Sequence, residues 1–388
     1  MNNTRILGLD VSKDNVTCFL WDFSKQLEPR KIYIDYQFLR LYSNPEGIKR
    51  LLELEPDVAV LEPTGGNYSK LWVTKLIEAG ITVILVGHTQ LRAHRTDMGL
   101  PDKDDQADAL ALANYYWTHQ DNPSRFVRMR DPVVARMRDM SLRIHHSNRV
   151  QSPLINRIKQ DLAWQFPEGA KKDLACVLFW GWLAGTRKSA RYDNLLSGTV
   201  GLGLTEETRR LAKLLHQVAL HELLLEKELR ECLYDVRFNE YRRIMSEFGF
   251  GDRVQALLIS QIYPLQNYLI EGKPEVVWTR SKLHPEKKTK KRLSERRFVK
   301  ALGLAPSREN SGDRSQTQKA GSQLCRIALW QWLFCRIEVA KGRPKSEQGE
   351  RISRHFDTLK ANKPIKLARS KTLAYAAREL FYRLVDVI

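Results

Sequence analysis

Short apolar runs of strand type alternate with helical segments over the first 120 or so residues. RILGLD at 5–10 and NVTCFLWD at 15–22 flank a polar turn, which predicts a β-hairpin, and KIYIDYQ at 31–37 would add a third strand. The runs DVAVLE at 57–62 and ITVILV at 81–86 have the continuous apolar character of buried parallel strands.

Helices are predicted between these runs, at 45–54, 67–79 and 104–116, the last because alanine and leucine favour helix. A loop is expected between the last strand and the last helix. The order β-β-β-α-β-α-β-α, with antiparallel strands first and βαβ crossovers afterwards, predicts an α/β domain with a mixed sheet over residues 1–120.

From about residue 121 the pattern becomes helical. Thr205, followed by two glutamates, is a plausible helix start, and the segment to about Tyr234 predicts a long helix. Its apolar positions fall near one stripe: Leu211, Leu214, Leu215, Val218, Leu225 and Leu229. The stripe would face a core or a second subunit, although the polar residues His221, Glu222 and Glu228 interrupt a strict heptad.

Residues 264–297 are expected to form a loop. We therefore predict a helical linker or coiled coil with a dimerising segment at 121–240, and a mostly α-helical C-terminal domain at 241–388. The chain is expected to act as a homodimer or homotetramer.

Charge separates the two halves of the chain. The whole sequence has 64 Lys+Arg against 45 Asp+Glu, a net charge of +19. Residues 1–120 hold 13 basic and 16 acidic residues, whereas residues 121–388 hold 51 and 29. The excess of basic residues in 121–388 predicts contact with a polyanion, and nucleic acid is the expected one. The alternative is that this charge only favours solubility.

One dense basic run precedes a Gly/Pro/Ser-rich segment at 303–312 and is expected to contact phosphates. It consists of Lys287, Lys288, Lys290, Lys291, Arg292, Arg296 and Arg297.

Other classes of protein are disfavoured by the sequence. No apolar stretch approaches the roughly 18 to 20 residues that cross a bilayer, and the first ten residues lack the apolar region of a signal peptide. The five cysteines are scattered without a CxxC pair, which argues against a disulfide framework or a zinc site. We expect a cytoplasmic protein, associated with the nucleoid when it acts, and no membrane partner.

Four carboxylates are placed where they could converge. Asp10 and Glu62 close two predicted strands, while Asp105 and Asp108 lie three residues apart, on one face of the last predicted helix. Functional groups gather beyond strand ends in open sheets. Hard oxygen ligands of this kind suit Mg²⁺ or Mn²⁺, and a two-metal site stabilises both oxygens of a phosphoryl transfer.

The choice of Asp105 stays open at this point. Asp102 and Asp104 would serve equally well, and only the expected helix register favours Asp105. Each acidic residue alone is typical of a helix cap or a surface charge.

Three segments resemble a known family. ILGLDVSKD at 6–14, LEPTGGNY at 61–68 and KDDQADALALA at 103–113 resemble the N-terminal motifs of the DEDD-type insertion-sequence transposases, the IS-one-ten family. The resemblance implies a RuvC-like domain with an RNase-H-like fold. It also implies that the metal-binding tetrad is Asp10, Glu62, Asp105 and Asp108.

The C-terminal half carries a second resemblance to the same family. ALGLAPSRENSGDRSQTQKAGSQLCRIALWQW at 301–332 is similar to the family's C-terminal motif, and FGFGDRVQALLISQI at 248–262 to the segment that opens that domain. The tail at 354–385 also fits. The segments 163–204 and 282–297 look longer than the family's usual connections, and Cys325 departs from the motif.

The C-terminal motif implies a nucleophilic serine at Ser311, in the Ser-Gly step. By itself a serine before glycine in such a loop is typical of a turn, and Ser307 and Ser315 are alternatives. Arg314 and Lys319 would bind or neutralise the phosphate. A serine hydroxyl needs a base or a metal to become a good nucleophile.

The resemblance implies a DNA recombinase that cuts and rejoins strands of donor and target DNA, guided by a non-coding bridge RNA. A RuvC-like structure-selective endonuclease would share the tetrad and hydrolyse with water. A non-catalytic nucleic-acid-binding protein would keep only the fold. A sugar-kinase-like ATPase has a similar strand order, but this sequence lacks the second Gly-rich phosphate loop expected of it.

Overall fold

Two compact units make up the chain. The computed structural model describes residues 4–21, 28–63, 67–170, 176–280, 286, 288–311 and 314–388. Unit 1 is Met1–Arg130 and unit 2 is Asp131–Ile388. The further division of the second part into a linker at 121–240 and a domain at 241–388 stays a prediction.

Unit 1 is an α/β structure around one five-stranded mixed sheet. Its elements are β1 Ile6–Val11, β2 Asn15–Trp21, α1 Pro29–Asp35, β3 Leu39–Tyr42, α2 Pro45–Leu52, β4 Val58–Leu61, α3 Tyr68–Glu78, β5 Thr82–Leu85, α4 His88–Asp97 and α5 Asp105–His119. The strand order is β3-β2-β1-β4-β5. The pairs β1–β2 and β2–β3 are antiparallel, whereas β1–β4 and β4–β5 are parallel. The predicted mixed α/β sheet is therefore confirmed.

The central strand β1 has a buried core on each face. Alternate side chains of a strand point to opposite faces, so Leu7 and Leu9 pack into one core with Trp72 of α3. Ile6 packs into the other core, which contains the alanine-rich part of α5. Because both faces are covered, β1 fixes the two layers of helices relative to one another.

Helix α5 approaches β1 unusually closely because β1 presents a glycine there. A Cβ at Gly8 would overlap the backbone carbonyl of Ala109 and crowd the backbone nitrogen of Ala113. Ala109 and Ala113 are themselves fully buried. Small residues on both surfaces therefore let the helix backbone rest directly on the strand.

The third strand does not lie where the sequence suggested. Residues 31–37 were expected to be extended, but Pro29–Asp35 is helix α1 and the third strand is Leu39–Tyr42. Pro29 suits the first turn of a helix, where its missing N–H costs nothing. Only Ile32 of α1 is buried, whereas Leu41 of β3 pairs with Val16 and enters the core.

Helix α4 occupies the segment that was expected to be a loop. It spans His88–Asp97, and its buried residues are only Leu91 and Arg95. With one buried apolar side chain it has no stripe that could reveal it in the sequence. The other predicted strands and helices of unit 1 lie within a few residues of their expected positions.

Unit 2 is mostly helical, as predicted. Its helices are α6 Pro132–Gln165, α7 Pro167–Ala170, α8 Val177–Leu183, α9 Ala190–Ser197, α10 Glu206–Leu233, α11 Asn239–Glu247, α12 Asp252–Ile262, α13 Leu293–Ala301, α14 Gln323–Leu333, α15 Glu347–Asn362 and α16 Ile365–Val385. In the part of unit 2 that the structure describes, the strands form three short hairpins: β6 Leu269–Ile270 with β7 Lys273–Pro274, β8 Val276–Arg280 with β9 Lys288–Arg292, and β10 Pro306–Ser311 with β11 Arg314–Lys319. Among the described residues, no helix is both long and apolar enough to cross a membrane.

The long helix α10 follows its prediction in part. The side chain of Thr205 accepts a hydrogen bond from the backbone N–H of Thr208 and caps the helix. Leu215, Leu225 and Leu229 are buried, but Leu214 is 53% exposed. The predicted interruption at Glu222 is buried, where its carboxylate accepts hydrogen bonds from Gln151 and Arg253. The buried face of α10 therefore includes Ala212, Ala219 and Glu222 and excludes Leu214.

The expectation of a loop at 264–297 is wrong. The segment contains the β8–β9 hairpin and the start of α13. Lys288, Lys290, Lys291 and Arg292 lie in β9, Arg296 and Arg297 lie in α13, and Lys287 lies outside the described residues. Because β9 carries lysines, it lacks the alternation of apolar and polar residues that identifies a strand. The hydrophobic pattern of the sequence therefore did not predict it.

We predict that Gly8→Ala destabilises the protein by about 3 kcal/mol or more, because the added methyl group has no room and the backbone of α5 must move. Urea denaturation of the whole chain measures this. Gly198→Ala is the matched control, since the nearest atom to its added Cβ is the carbonyl oxygen of Asn194 at 3.9 Å. Equal effects of the two substitutions would contradict the close contact between β1 and α5.

Candidate active site

Asp10 lies on the face of β1 that carries α5. It is two residues beyond Gly8, and the alternation of the strand therefore directs it to the same side. The helix begins at Asp105, one turn before Ala109, which rests on Gly8. The start of α5, with Asp105 and Asp108, consequently lies over the carboxyl end of β1.

The two competing aspartates have other roles in the structure. The carboxylate of Asp104 caps α5, accepting hydrogen bonds from the backbone N–H groups of Gln106 at 2.8 Å and Ala107 at 2.9 Å. It also accepts one from the hydroxyl of Tyr33 at 3.1 Å. Asp102 precedes the helix, and its side chain is 81% exposed. These positions favour Asp105 as the partner of Asp10.

The pKa of Asp10 reflects the proximity of the other three carboxylates. Burial raises the pKa of Asp10 to about 7, assisted by the negative charges of Asp105, Asp108 and Glu62 and by a hydrogen bond with Asp105. Loss of hydration and like charges both disfavour the ionised form. The three neighbours that raise this pKa are the other three members of the predicted tetrad.

Glu62 reaches the group from the neighbouring strand. It follows Leu61, which pairs in parallel with Leu9, so Glu62 extends β4 alongside Asp10. The ring nitrogen Nδ1 of His88 lies 2.6 Å from its Oε2 atom. His88 is the first residue of α4. The motif residues Thr64, Gly65 and Gly66, which follow Glu62 in the sequence, lie outside the described residues.

Asp108 is held by a buried arginine. Nη1 of Arg95 donates a hydrogen bond to Oδ1 of Asp108, and the Arg95 side chain is only 7% exposed. Burial raises the pKa of Asp108, although the hydrogen bond and charge of Arg95 oppose the increase. Arg95 therefore neutralises one carboxylate of the group only in part.

A cleft with a basic rim opens beside Asp105. It has a volume of about 400 Å³ and is lined by Thr17, Phe38, Arg40, Lys103, Asp104, Asp105 and Gln106. Nη2 of Arg40 lies 3.6 Å from Oδ2 of Asp105, and both side chains are more than half exposed. Two cations next to a carboxylate group suit an anionic substrate such as a phosphodiester.

The donor atoms fit a hard divalent cation by their chemistry. Asp10, Glu62, Asp105 and Asp108 offer only carboxylate oxygens, which Mg²⁺ and Mn²⁺ prefer. Their mutual repulsion, visible at Asp10, is what a bound cation would relieve. Within the described ranges, however, no three acidic, histidine or cysteine side chains are arranged around a single metal position. His88 and Arg95 engage two of the four carboxylates instead.

Four basic residues of this site were not predicted from the sequence. His88 and Arg95 lie on α4, the helix without an apolar stripe, while Arg40 and Lys103 lie in β3 and before α5. A buried arginine has no sequence signature separate from an exposed one. The only sequence signal for these four residues was the position of Lys103, directly before the aspartate that caps α5.

The predicted site residues of unit 2 lie in its hairpins and in α13. Ser311 ends β10 and pairs with Arg314 in β11, Ser307 pairs with Gln318, and Asn310 pairs with Ser315. The side chains of Ser307, Ser311, Arg314, Ser315 and Lys319 lie outside the described part of the structure. In the basic run, Arg297 forms an ion pair with Glu275 at 2.6 Å and Arg292 one with Glu295 at 3.5 Å.

We predict that Asp10→Asn stabilises the metal-free protein at pH 8, by roughly 1–3 kcal/mol, and has no such effect near pH 4. The pKa of Asp10 is higher in the folded chain than the ordinary aspartate value of 3.8. Protonated Asp10 therefore favours folding at low pH, and this contribution is lost as the pH rises through about 7. Denaturation in EDTA across this pH range measures the difference.

Asp14→Asn is the control for that experiment, because Asp14 is exposed in the turn after β1 and the substitution removes the same charge. A gap between Asp10→Asn and the parent that stays constant with pH would contradict the crowding of carboxylates at Asp10.

We predict that Arg95→Met destabilises the protein by about 3 kcal/mol, because it leaves Asp108 buried without its cation. Asp102→Asn, which removes the exposed partner of the same arginine at 3.5 Å, should cost less than about 0.5 kcal/mol. Arg95→Met combined with Asp108→Asn should recover most of the loss in a denaturation experiment. No recovery in the double variant would show that Arg95 does not act through Asp108.

Comparison with known proteins gives limited similarity. No family model and no curated protein matches the sequence. The Thermus thermophilus RuvC structure is 14% identical over a match that covers 32% of this chain and 100% of that chain, with a TM-score of 0.25. T. thermophilus RuvC in complex with a Holliday junction substrate is 16% identical, with coverages of 32% and 99% and a TM-score of 0.24. This similarity is weak and assigns no activity to the chain.

Proposed function

We propose that the protein is a metal-dependent DNA transposase that cuts and rejoins strands during excision and insertion of a mobile element. The observation that carries the proposal is the group of four carboxylates at the carboxyl end of β1, where three of them raise the pKa of the fourth. A strongly raised pKa caused by burial and nearby like charges is typical of active sites. The motifs that resemble DEDD-type transposases contain the same four residues.

The residues around the cleft would bind and orient the scissile phosphate. Arg40 and Lys103 line the cleft beside Asp105 and supply positive charge for the phosphate oxygens. Arg95 and His88 hold Asp108 and Glu62 in place from α4. Mg²⁺ or Mn²⁺, held by Asp10, Glu62, Asp105 and Asp108, would supply Lewis-acid polarisation of the phosphate when bound.

Ser311 would be the nucleophile, as the resemblance implies. Its Oγ atom would form a bond to phosphorus while the bond from phosphorus to the leaving DNA oxygen breaks, and the serine proton would pass to that oxygen. The product is a phosphoserine link to DNA. Attack by another DNA hydroxyl would reverse these steps, restore Ser311 and join the new strand. Arg314 and Lys319 would neutralise the phosphate.

The remaining parts of the proposal rest on charge and resemblance. The excess of basic over acidic residues in 121–388 suits DNA and RNA as partners. A non-coding guide RNA and a homodimer or homotetramer are what the family resemblance adds.

We predict that the protein forms a covalent adduct with DNA carrying the ends of its own element, in the presence of the adjacent non-coding RNA and Mg²⁺. Denaturing gel electrophoresis of labelled DNA detects the adduct. It should disappear in Ser311→Ala and in Asp10→Asn, and it should persist in the neighbouring variants Ser307→Ala and Ser315→Ala.

Three other outcomes are informative. An undiminished adduct in Ser311→Ala would remove Ser311 from the mechanism. Cleavage by the parent protein without any adduct would favour an endonuclease that uses water. Binding without cleavage, unchanged in Asp10→Asn, would favour a nucleic-acid-binding protein that has no catalytic activity.

A further inference from the structure

The β8–β9 hairpin of unit 2, Val276–Arg280 and Lys288–Arg292, is a two-stranded ribbon with two different faces. Residues directly opposite one another in an antiparallel pair project to the same side. One face therefore carries the pairs Trp278 with Lys290, Arg280 with Lys288, and Val276 with Arg292. We call this the tryptophan face. The other face carries Val277 with Lys291 and Thr279 with Thr289.

The tryptophan face is exposed, whereas the other face is partly covered. Trp278 is 60% exposed, and Val276, Arg280, Lys288, Lys290 and Arg292 are exposed as well. Val277, Thr279 and Lys291 are of intermediate exposure. The face thus presents a large aromatic ring to solvent among four cations.

The base of the ribbon is fixed to the body of unit 2. The backbone N–H of Leu293 donates to the carbonyl of Glu275 at 2.9 Å, and the N–H of Glu275 donates to Oγ of Ser294 at 2.8 Å. Arg297 forms its ion pair with Glu275 at the same place. These contacts hold the two strands together at the base of the ribbon without Trp278. Arg297 therefore has a structural role.

The contact with Lys290 does not fully explain why the ring of Trp278 is exposed. The Nζ atom of Lys290 lies 5.9 Å from the ring centroid, within the range of a cation–π interaction. A pair of this kind across two strands contributes modestly to the stability of a hairpin. It leaves more than half of the tryptophan in water.

We propose that the tryptophan face binds a single-stranded segment of nucleic acid, with Trp278 stacked on an unpaired base and Lys288 and Lys290 on the flanking phosphates. Alternate residues of a strand are about 7 Å apart, a distance similar to the spacing of phosphates along an extended single strand. A π-face suits any base, and the cations suit the backbone. This inference relies on the proposed function only for the class of ligand.

A single strand is favoured over a duplex because a duplex hides the faces of its bases inside the stack. One exposed ring can reach a base face only where the nucleic acid is unpaired. The positive charges alone would bind both forms through their phosphates. The dependence on Trp278 is therefore what distinguishes the two forms.

Fluorescence anisotropy with labelled oligonucleotides of about 20 nucleotides tests the proposal, using the full chain in EDTA so that no cleavage occurs. Trp278→Leu should weaken binding of single-stranded DNA and RNA about 5- to 150-fold and leave blunt duplex binding unchanged. Trp278→Phe, which keeps an aromatic ring, should stay within about fivefold of the parent. Circular dichroism and thermal unfolding of both variants check the fold.

Two lysines of successive hairpins provide a second, independent readout. Lys290→Gln should reduce the slope of log affinity against log salt by about 0.7 for a single strand, as expected for one lost phosphate contact. Lys273→Gln, which removes an exposed lysine of the β6–β7 hairpin, should leave the slope unchanged. This comparison remains valid even where Trp278→Leu fails to fold.

The proposal is overturned by unchanged single-strand binding in Trp278→Leu, by an equal loss on duplex, or by a loss in Trp278→Phe as large as that in Trp278→Leu. A loss restricted to RNA or to DNA supports the proposal and identifies the ligand. The assay is run in EDTA and does not need the carboxylates of unit 1. Trp278-dependent binding without any covalent adduct would therefore reject the proposed function and keep this inference.

Discussion

The site depends on the direct contact of helix α5 with strand β1. Gly8 and the buried Ala109 and Ala113 remove the side chains that would otherwise separate the two elements. The same contact fixes the register of the helix on the strand, because Ala109 must lie over Gly8. Asp105, one turn before Ala109, is then brought to Asp10, two residues after Gly8. The position of Asp105 and Asp108 beside Asp10 is thus a consequence of the close packing of the helix backbone on the strand.

The grouping of four carboxylates destabilises the fold, and residues of α4 partly counteract this effect. Burial and the negative charges of the three neighbouring carboxylates raise the pKa of Asp10. Helix α4 brings His88 to Glu62 and Arg95 to Asp108. The hydrogen bond and charge of Arg95 oppose the increase in the pKa of Asp108, which burial still raises. A hard divalent cation is the proposed partner for the negative charge that remains.

Elements whose apolar periodicity reflects their burial were predicted correctly. The strands β1, β2, β4 and β5 and the helix α5 have continuous or alternating apolar residues, and their positions confirmed the mixed sheet. Helix α4 and strand β9 were not predicted, because their sequences carry too few apolar residues to form a pattern. His88 and Arg95 were missed for the same reason. The structure distinguishes Asp105 from Asp104 because it shows that Asp104 caps α5 and that the helix begins at Asp105. The role of Ser311 stays a prediction, because its evidence is a motif.

The Gly8 contact also separates two kinds of residue within one motif. In ILGLD, the glycine gives α5 room to rest on β1, whereas burial and neighbouring carboxylates oppose ionisation of the aspartate two positions later. Selection for a folded chain alone would therefore preserve Gly8 and the alanine row of α5 while allowing Asp10 to be replaced. A related chain that kept the glycine–alanine pattern and lost the carboxylates would keep this packing without the proposed site.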